Sequence, residues 1–165
     1  MLANAINTLL PHYNSVKVVT TLGNHGRIFA DKKACLTHEN FEMLIPEYLK
    51  LRLNNEVPII KSYGMDFVSY EINGELICVA HGQSDTINDV ISNFSKMYKR
   101  VPKEIHLGHY HSYKDINDCD VIVTVNGSLV GADDYAIKLR KITKPSQNLI
   151  IYDGNDRCIY SLIAE

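Results

Sequence analysis

The sequence lacks a dominant charge, a long apolar run and paired cysteines, and each lack removes a class of function. Its 17 Lys+Arg against 19 Asp+Glu leave a formal net charge of −2. That excludes coating of nucleic acid by charge alone and leaves a local basic groove open. No stretch approaches the roughly 18 apolar residues a membrane helix needs, so no membrane association is expected. The start, Met1-Leu2-Ala3-Asn4-Ala5, has no cationic segment. A signal peptide is therefore not expected, and the expected location is cytoplasmic. Cys35, Cys78, Cys119 and Cys158 are far apart and form no Cys-x-x-Cys pair. Zinc-ribbon and thioredoxin-type sites are excluded, and buried, reduced thiols are expected. Residues 1–22 contain no Asp or Glu at all.

What is present is ordinary globular composition. The 165 residues, 45% hydrophobic and 22% charged, suffice to bury a core without disulfide staples. There is no internal repeat, low-complexity segment or linker, so a single domain over 1–165 is expected. Leu2, Ile6, Leu9 and Leu10 have helical spacing that Pro11 ends, and Val16 to Leu22 reads as a buried strand. Phe41, Leu44, Ile45, Tyr48 and Leu49 mark a second helix, with Pro46 kinking it or opening a new one. Asn73-Gly74 between Phe67–Ile72 and Glu75–Ala80 signals a hairpin. Ile87, Val90, Ile91, Phe94, Met97 and Tyr98 line one face of a helix capped near Ser84 or Asp85. Further strands are expected at Glu104–Leu107, Val121–Val125, Tyr135–Ile142, Gln147–Tyr152 and Arg157–Ile163, with a turn at Gly154-Asn155. The class is mixed α/β with a largely antiparallel sheet.

Three apolar strands run out into small turns holding Gly, His or Asn. These are VKVVTTL before Gly23-Asn24-His25-Gly26-Arg27, ELICVA before His81-Gly82, and EIHL before Gly108-His109-Tyr110-His111. Strand ends are where an α/β sheet places ligand-binding groups on a rigid frame. Imidazole nitrogens and an amide oxygen suit Zn, Mn or Fe, so Asn24, His81, His109 and His111 are candidate ligands. On an extended segment His109 and His111 point the same way, serving one ion each or sharing one. Four of the seven histidines fall in these turns. His12 and His38 read as surface residues, and His106 faces away from the His109/His111 pair.

Taken together and in this order, these three blocks resemble the last three signature blocks of the calcineurin-like metallophosphoesterases. Gly23-Asn24-His25-Gly26-Arg27, Asn126-Gly127-Ser128 and Asp133-Asp134-Tyr135-Ala136 resemble phage-type, DNA-processing members. The resemblance covers nearly the whole chain. It implies a four-layer αββα sandwich and a hydrolase of phosphoester or phosphodiester bonds, with DNA among the candidate substrates. It also implies two divalent ions (Mn, alternatively Zn or Fe) that activate a water. Asn24, His81 and His109 are then ligands of one ion and His111 of the other. His25 is the catalytic histidine that helps protonate the leaving oxygen. Arg27 reads either as a clamp on a phosphate oxygen or as a solvated, sheet-edge arginine.

Two departures accompany the resemblance. The family often carries an acidic residue after Gly-Asn-His, where this chain has Gly26. The family's Asp-x-His and Gly-Asp-x-x-Asp blocks, whose carboxylates bridge the ions, have no counterpart before Gly23. On that resemblance the chain is expected to correspond to the C-terminal two thirds of the family fold, an N-terminal truncation. A homo-oligomer or a separately encoded N-terminal fragment is expected to complete it. The alternative is a non-catalytic remnant that serves as a binding or assembly module.

Overall fold

The computed structural model describes residues 1–165 apart from 30, 32–35, 37, 133, 139, 141, 155 and 165. Asn73 and Gly74 both take left-handed backbone, φ 52° and 79°, the turn whose twist matches two paired strands. They join β3 (Phe67–Ile72) to β4 (Glu75–Ala80) in a hairpin with Phe67 opposite Ala80. The strand β4 continues the sheet in parallel with β5 (Glu104–Leu107), and β5 in parallel with β7 (Val121–Val125). The far edge is β6 (Lys114–Asp118), antiparallel to β7. The five-stranded sheet is therefore mixed, in the order β3-β4-β5-β7-β6.

Alternation along these strands divides the sheet into two faces. Leu76, Cys78 and Ala80, with Ile105, Leu107, Val121, Val123 and Val125, form one core with Val90 and Phe94 of the helix α3 (Val90–Tyr98). The opposite face meets a hairpin of β8 (Ser146–Asp153) and β9 (Asp156–Ile163). That contact is polar. Glu104 is 2% exposed and its Oε2 accepts from Tyr152 Oη at 2.9 Å and Arg157 Nε at 3.2 Å. Arg157 also pairs with Asp115 through both terminal nitrogens, at 3.0 and 3.1 Å. A second core unites Ala3 and Ile6 of α1 (Leu2–Leu9) with Leu49 of α2 (Leu44–Arg52), Leu53 and Val57. It lies under β1 (Val18–Thr20) and β2 (Ile59–Lys61), a parallel pair. Among the described residues no helix is long and apolar enough to cross a membrane.

Several expectations are corrected. The Val16–Leu22 run yields only three strand residues, and these are half-buried. Of the strand expected at Tyr135–Ile142, the residues as far as Lys138 belong instead to the helix α4 (Asp134–Lys138). The helix expected from Ile87 begins at Val90, since Ser84 and Asp85 are engaged elsewhere, with Asp66 and Asn93. Pro46 sits in the first turn of α2, where its missing N–H costs little. Of the cysteines Cys78 is buried, but Cys119 and Cys158 are exposed, Cys119 because it forms the β6–β7 turn at φ 49°. Cys35, Asp133 and Asn155 lie outside the described residues.

Candidate metal centre

The three Gly-containing turns meet above the strand ends. Parallel pairing of β4 and β5 sets Ala80 beside Leu107, so the residues that follow them, His81 and the Gly108–His111 turn, emerge together. Gly108 N–H donates to the His81 carbonyl at 3.2 Å, and Tyr110 Oη ties the second turn to the Asp85 carbonyl at 2.8 Å. Gly82 has φ 95°, a conformation open to glycine and strained for other residues.

His81 Nε2 lies 2.8 Å from Asn24 Oδ1 and 3.2 Å from His109 Nδ1. A ring nitrogen carries either one hydrogen or one lone pair, so Nε2 satisfies only one of these two neighbours. Three ligand-type atoms gathered about Nε2 form an arrangement suited to a cation. Burial, followed by the nearby His109, lowers the His81 pKa to about 4 against the opposing pull of Asp66; His25 and His111 lower it further. The ring is therefore neutral near pH 7, as a metal ligand must be.

His109 and His111 do not lie on an extended segment. Both take left-handed backbone, φ 61° and 55°, which is uncommon and costly away from glycine. This conformation separates them. The His109 ring packs against His81 at 5.0 Å between centroids, while the His111 ring faces His25 at 6.4 Å. His106, on β5, turns to the hairpin side and contacts Glu104 Oε2 at 3.0 Å. Arg27 forms an isolated β-bridge with Asn40. His12 and His38 are exposed.

The donor set fits one divalent ion. Asn24, His81 and His109 supply three neutral ligands of the types that bind Zn, Mn or Fe. Among the described residues no three His, Cys, Asp or Glu side chains group as ligands, so the convergence depends on the Asn24 amide. From His81 a cavity of about 330 Å³ opens between the sheet and the β8–β9 hairpin, lined by Thr21, Val79, His106, Thr124 and Asn148 among others. Thr21 Oγ1 and Asn148 Oδ1 are buried without a hydrogen-bond partner among the described residues. Among the described residues, the edges of β1 and β8 that are not paired with β2 and β9 carry no further strand.

Sequence reasoning missed Asn40 and Glu42, which grip the first turn. Asn40 as a cap for Glu42 N–H is a local signal, but its reach to Gly23, 17 positions away, is not.

No protein-family model matches the sequence, and no curated protein matches it. Solved structures do. A predicted phosphoesterase from Streptococcus pneumoniae TIGR4 aligns over 98% of this chain and 80% of its own, at 10% identity and TM-score 0.57. An archaeal phosphodiesterase aligns over 96% and 76%, at 18% identity and TM-score 0.56. A double mutant of Vps29 from Entamoeba histolytica aligns over 97% and 79%, at 14% identity and TM-score 0.56. The wild-type form of that Vps29, complexed with Zn²⁺, aligns over 70% and 68%, at 15% identity and TM-score 0.51. These likenesses establish the architecture: the chain has the calcineurin-like metallophosphoesterase fold.

Proposed function

We propose that the protein is a metal-dependent phosphoesterase, acting on phosphodiesters and, by the resemblance of its motifs, on nucleic acid. The observation that carries this reading is the convergence of Asn24 Oδ1, His81 Nε2 and His109 Nδ1 within 2.8 and 3.2 Å at three strand ends. Neighbours of this fold include a phosphodiesterase and a zinc complex, which supports a divalent ion here; Mn²⁺ is the ion proposed. Such an ion supplies Lewis acidity and lowers the pKa of a coordinated water. Asn24, His81 and His109 hold it. His25, beside His111 and next in sequence to Asn24, is the proposed proton donor to a leaving oxygen. Arg27, on the same turn, is the proposed contact to a phosphate oxygen.

A two-ion site needs more ligands than His111 for its second ion. We propose that the carboxylates come from a segment outside residues 1–165 or from a second copy of the chain. Among the described residues, the unpaired edges of β1 and β8 and the polar atoms left unpartnered around the cavity between them support an inserted segment. A second reading, a metal-binding module without turnover, is favoured by the neutrality of the three converging donors.

Hydrolysis of bis(p-nitrophenyl) phosphate in Mn²⁺ separates the two. The enzyme reading predicts turnover that chelation abolishes and that His25→Ala lowers about 100-fold. Mn²⁺ binding without turnover leaves the binding module.

A further inference from the structure

The turn that carries Asn24 and His25 is held from outside by Asn40 and Glu42. Gly23 N–H donates to Glu42 Oε2 at 2.5 Å, and Asn40 Nδ2 donates to the Gly23 carbonyl at 2.7 Å. Asn40 Oδ1 accepts from Glu42 N–H at 2.9 Å, so the two gripping residues also hold each other. Phe41 N–H donates to the Gly26 carbonyl at 2.8 Å and Ile28 N–H to the Glu39 carbonyl at 3.0 Å, closing the far side. Asn40 is 6% exposed, and its side-chain nitrogen and oxygen both serve this grip.

The glycines of the turn complement the grip. A Cβ on Gly26 would stand 2.1 Å from Asn40 Oδ1 and 2.6 Å from Glu42 Cγ. No left-handed φ is involved at Gly26, so space, not torsion, requires glycine there. A Cβ on Gly23 would stand 3.1 and 3.2 Å from the two Glu42 oxygens and 3.3 Å from His81 Cε1. Asn40 and Glu42 thus fill the volume into which a side chain at position 26 would project, and the Glu42 carboxylate flanks Gly23.

The geometry points to Glu42, with Asn40, as the positioning residue of the metal centre. It supplies from a separate segment the carboxylate that the Gly23–Arg27 turn does not carry itself, and it fixes Asn24 Oδ1 against His81 Nε2. It acts through Gly23 and is not a ligand. The inference rests on the metal reading above for its chemical sense, yet the grip is measurable without metal.

The test combines MnCl₂ titration calorimetry with NMR of the metal-free protein and thermal melting. Glu42→Ala is expected to weaken Mn²⁺ binding about tenfold, the effect of losing a group that orients a ligand, and to shift the Asn24 side-chain amide resonances. Glu42→Gln keeps an acceptor for Gly23 N–H and should restore both to near wild type. Gly26→Ala should lower Tm by about 4 °C in the wild-type background, a loss typical of a single steric defect, and by much less in Asn40→Ala/Glu42→Ala. Unchanged Asn24 resonances and Mn²⁺ affinity in Glu42→Ala, or an equal Gly26→Ala effect in both backgrounds, would overturn the inference. If the wild type binds no Mn²⁺, the metal reading fails. The Asn24 resonances and the Gly26 pairing then still decide the positioning role.

Discussion

At the residue scale the site is built from histidines whose environments differ. His81 directly follows the buried strand β4, and desolvation lowers its pKa to about 4. Well above pH 6.5 the ring is neutral in folded and unfolded chains alike. Between pH 6.5 and about 4 the unfolded chain takes up a proton that the folded chain refuses, so stability falls as pH falls through that window. Urea denaturation of metal-free protein at pH 7 and pH 4.5 should show this loss, and His81→Gln should flatten it. An equal loss in the variant would place the acid sensitivity elsewhere. Asn24, His81 and His109 were legible in the sequence because each follows an apolar run and stands beside glycine. Their division was not. The left-handed backbone at His109 and His111 turns one ring to His81 and the other to His25, and no dipeptide signal marks two such residues in one turn.

At the scale of elements, legibility followed local chemistry. Asn73-Gly74 announces its hairpin, and the actual bounds match the expected ones residue for residue. The β6–β7 hairpin turns through Cys119-Asp120 with the same left-handed geometry, φ 49° and 64°. It was missed because neither that pair nor the polar run Lys114–Asp118 reads as strand and turn. Pairing with the β-branched β7 overrides the weak propensity. The β8–β9 hairpin depends on a buried charge network. Burial pushes the Glu104 carboxyl up, but hydrogen bonds from His106 and Tyr152 and the charge of Arg157 outweigh it and hold the group below the usual range. Removing Arg157 leaves Glu104 and Asp115 without their cation. Arg157→Ala should therefore cost about 3 kcal/mol in urea denaturation, the lower range for breaking a buried pair. A loss under about 1 kcal/mol would mean that the contact behaves as an exposed one.

At the scale of the whole molecule, one fold holds two cores, and the candidate centre lies where turns from both come together. Asn24 comes from the turn after β1, above the core of α1 and α2, whereas His81 and His109 follow β4 and β5 of the five-stranded sheet. Sequence order alone does not show that these two units face each other. The family resemblance supplied that placement, and the similarity to solved phosphoesterase-fold structures bears out the fold. The same view shows apolar surface open to solvent: Leu149, Ile151, Tyr160 and Leu162 of the β8–β9 hairpin are each about half exposed, consistent with the proposal of a further covering segment or copy.

Native mass spectrometry of protein purified in Mn²⁺ and desalted reports in one spectrum both the ions held per chain and the copies per assembly. About one retained ion per chain is expected, the number three neutral donors hold, with its loss in both His81→Ala and His109→Ala. A wild-type chain that carries no ion, or variants that retain it, would contradict the account.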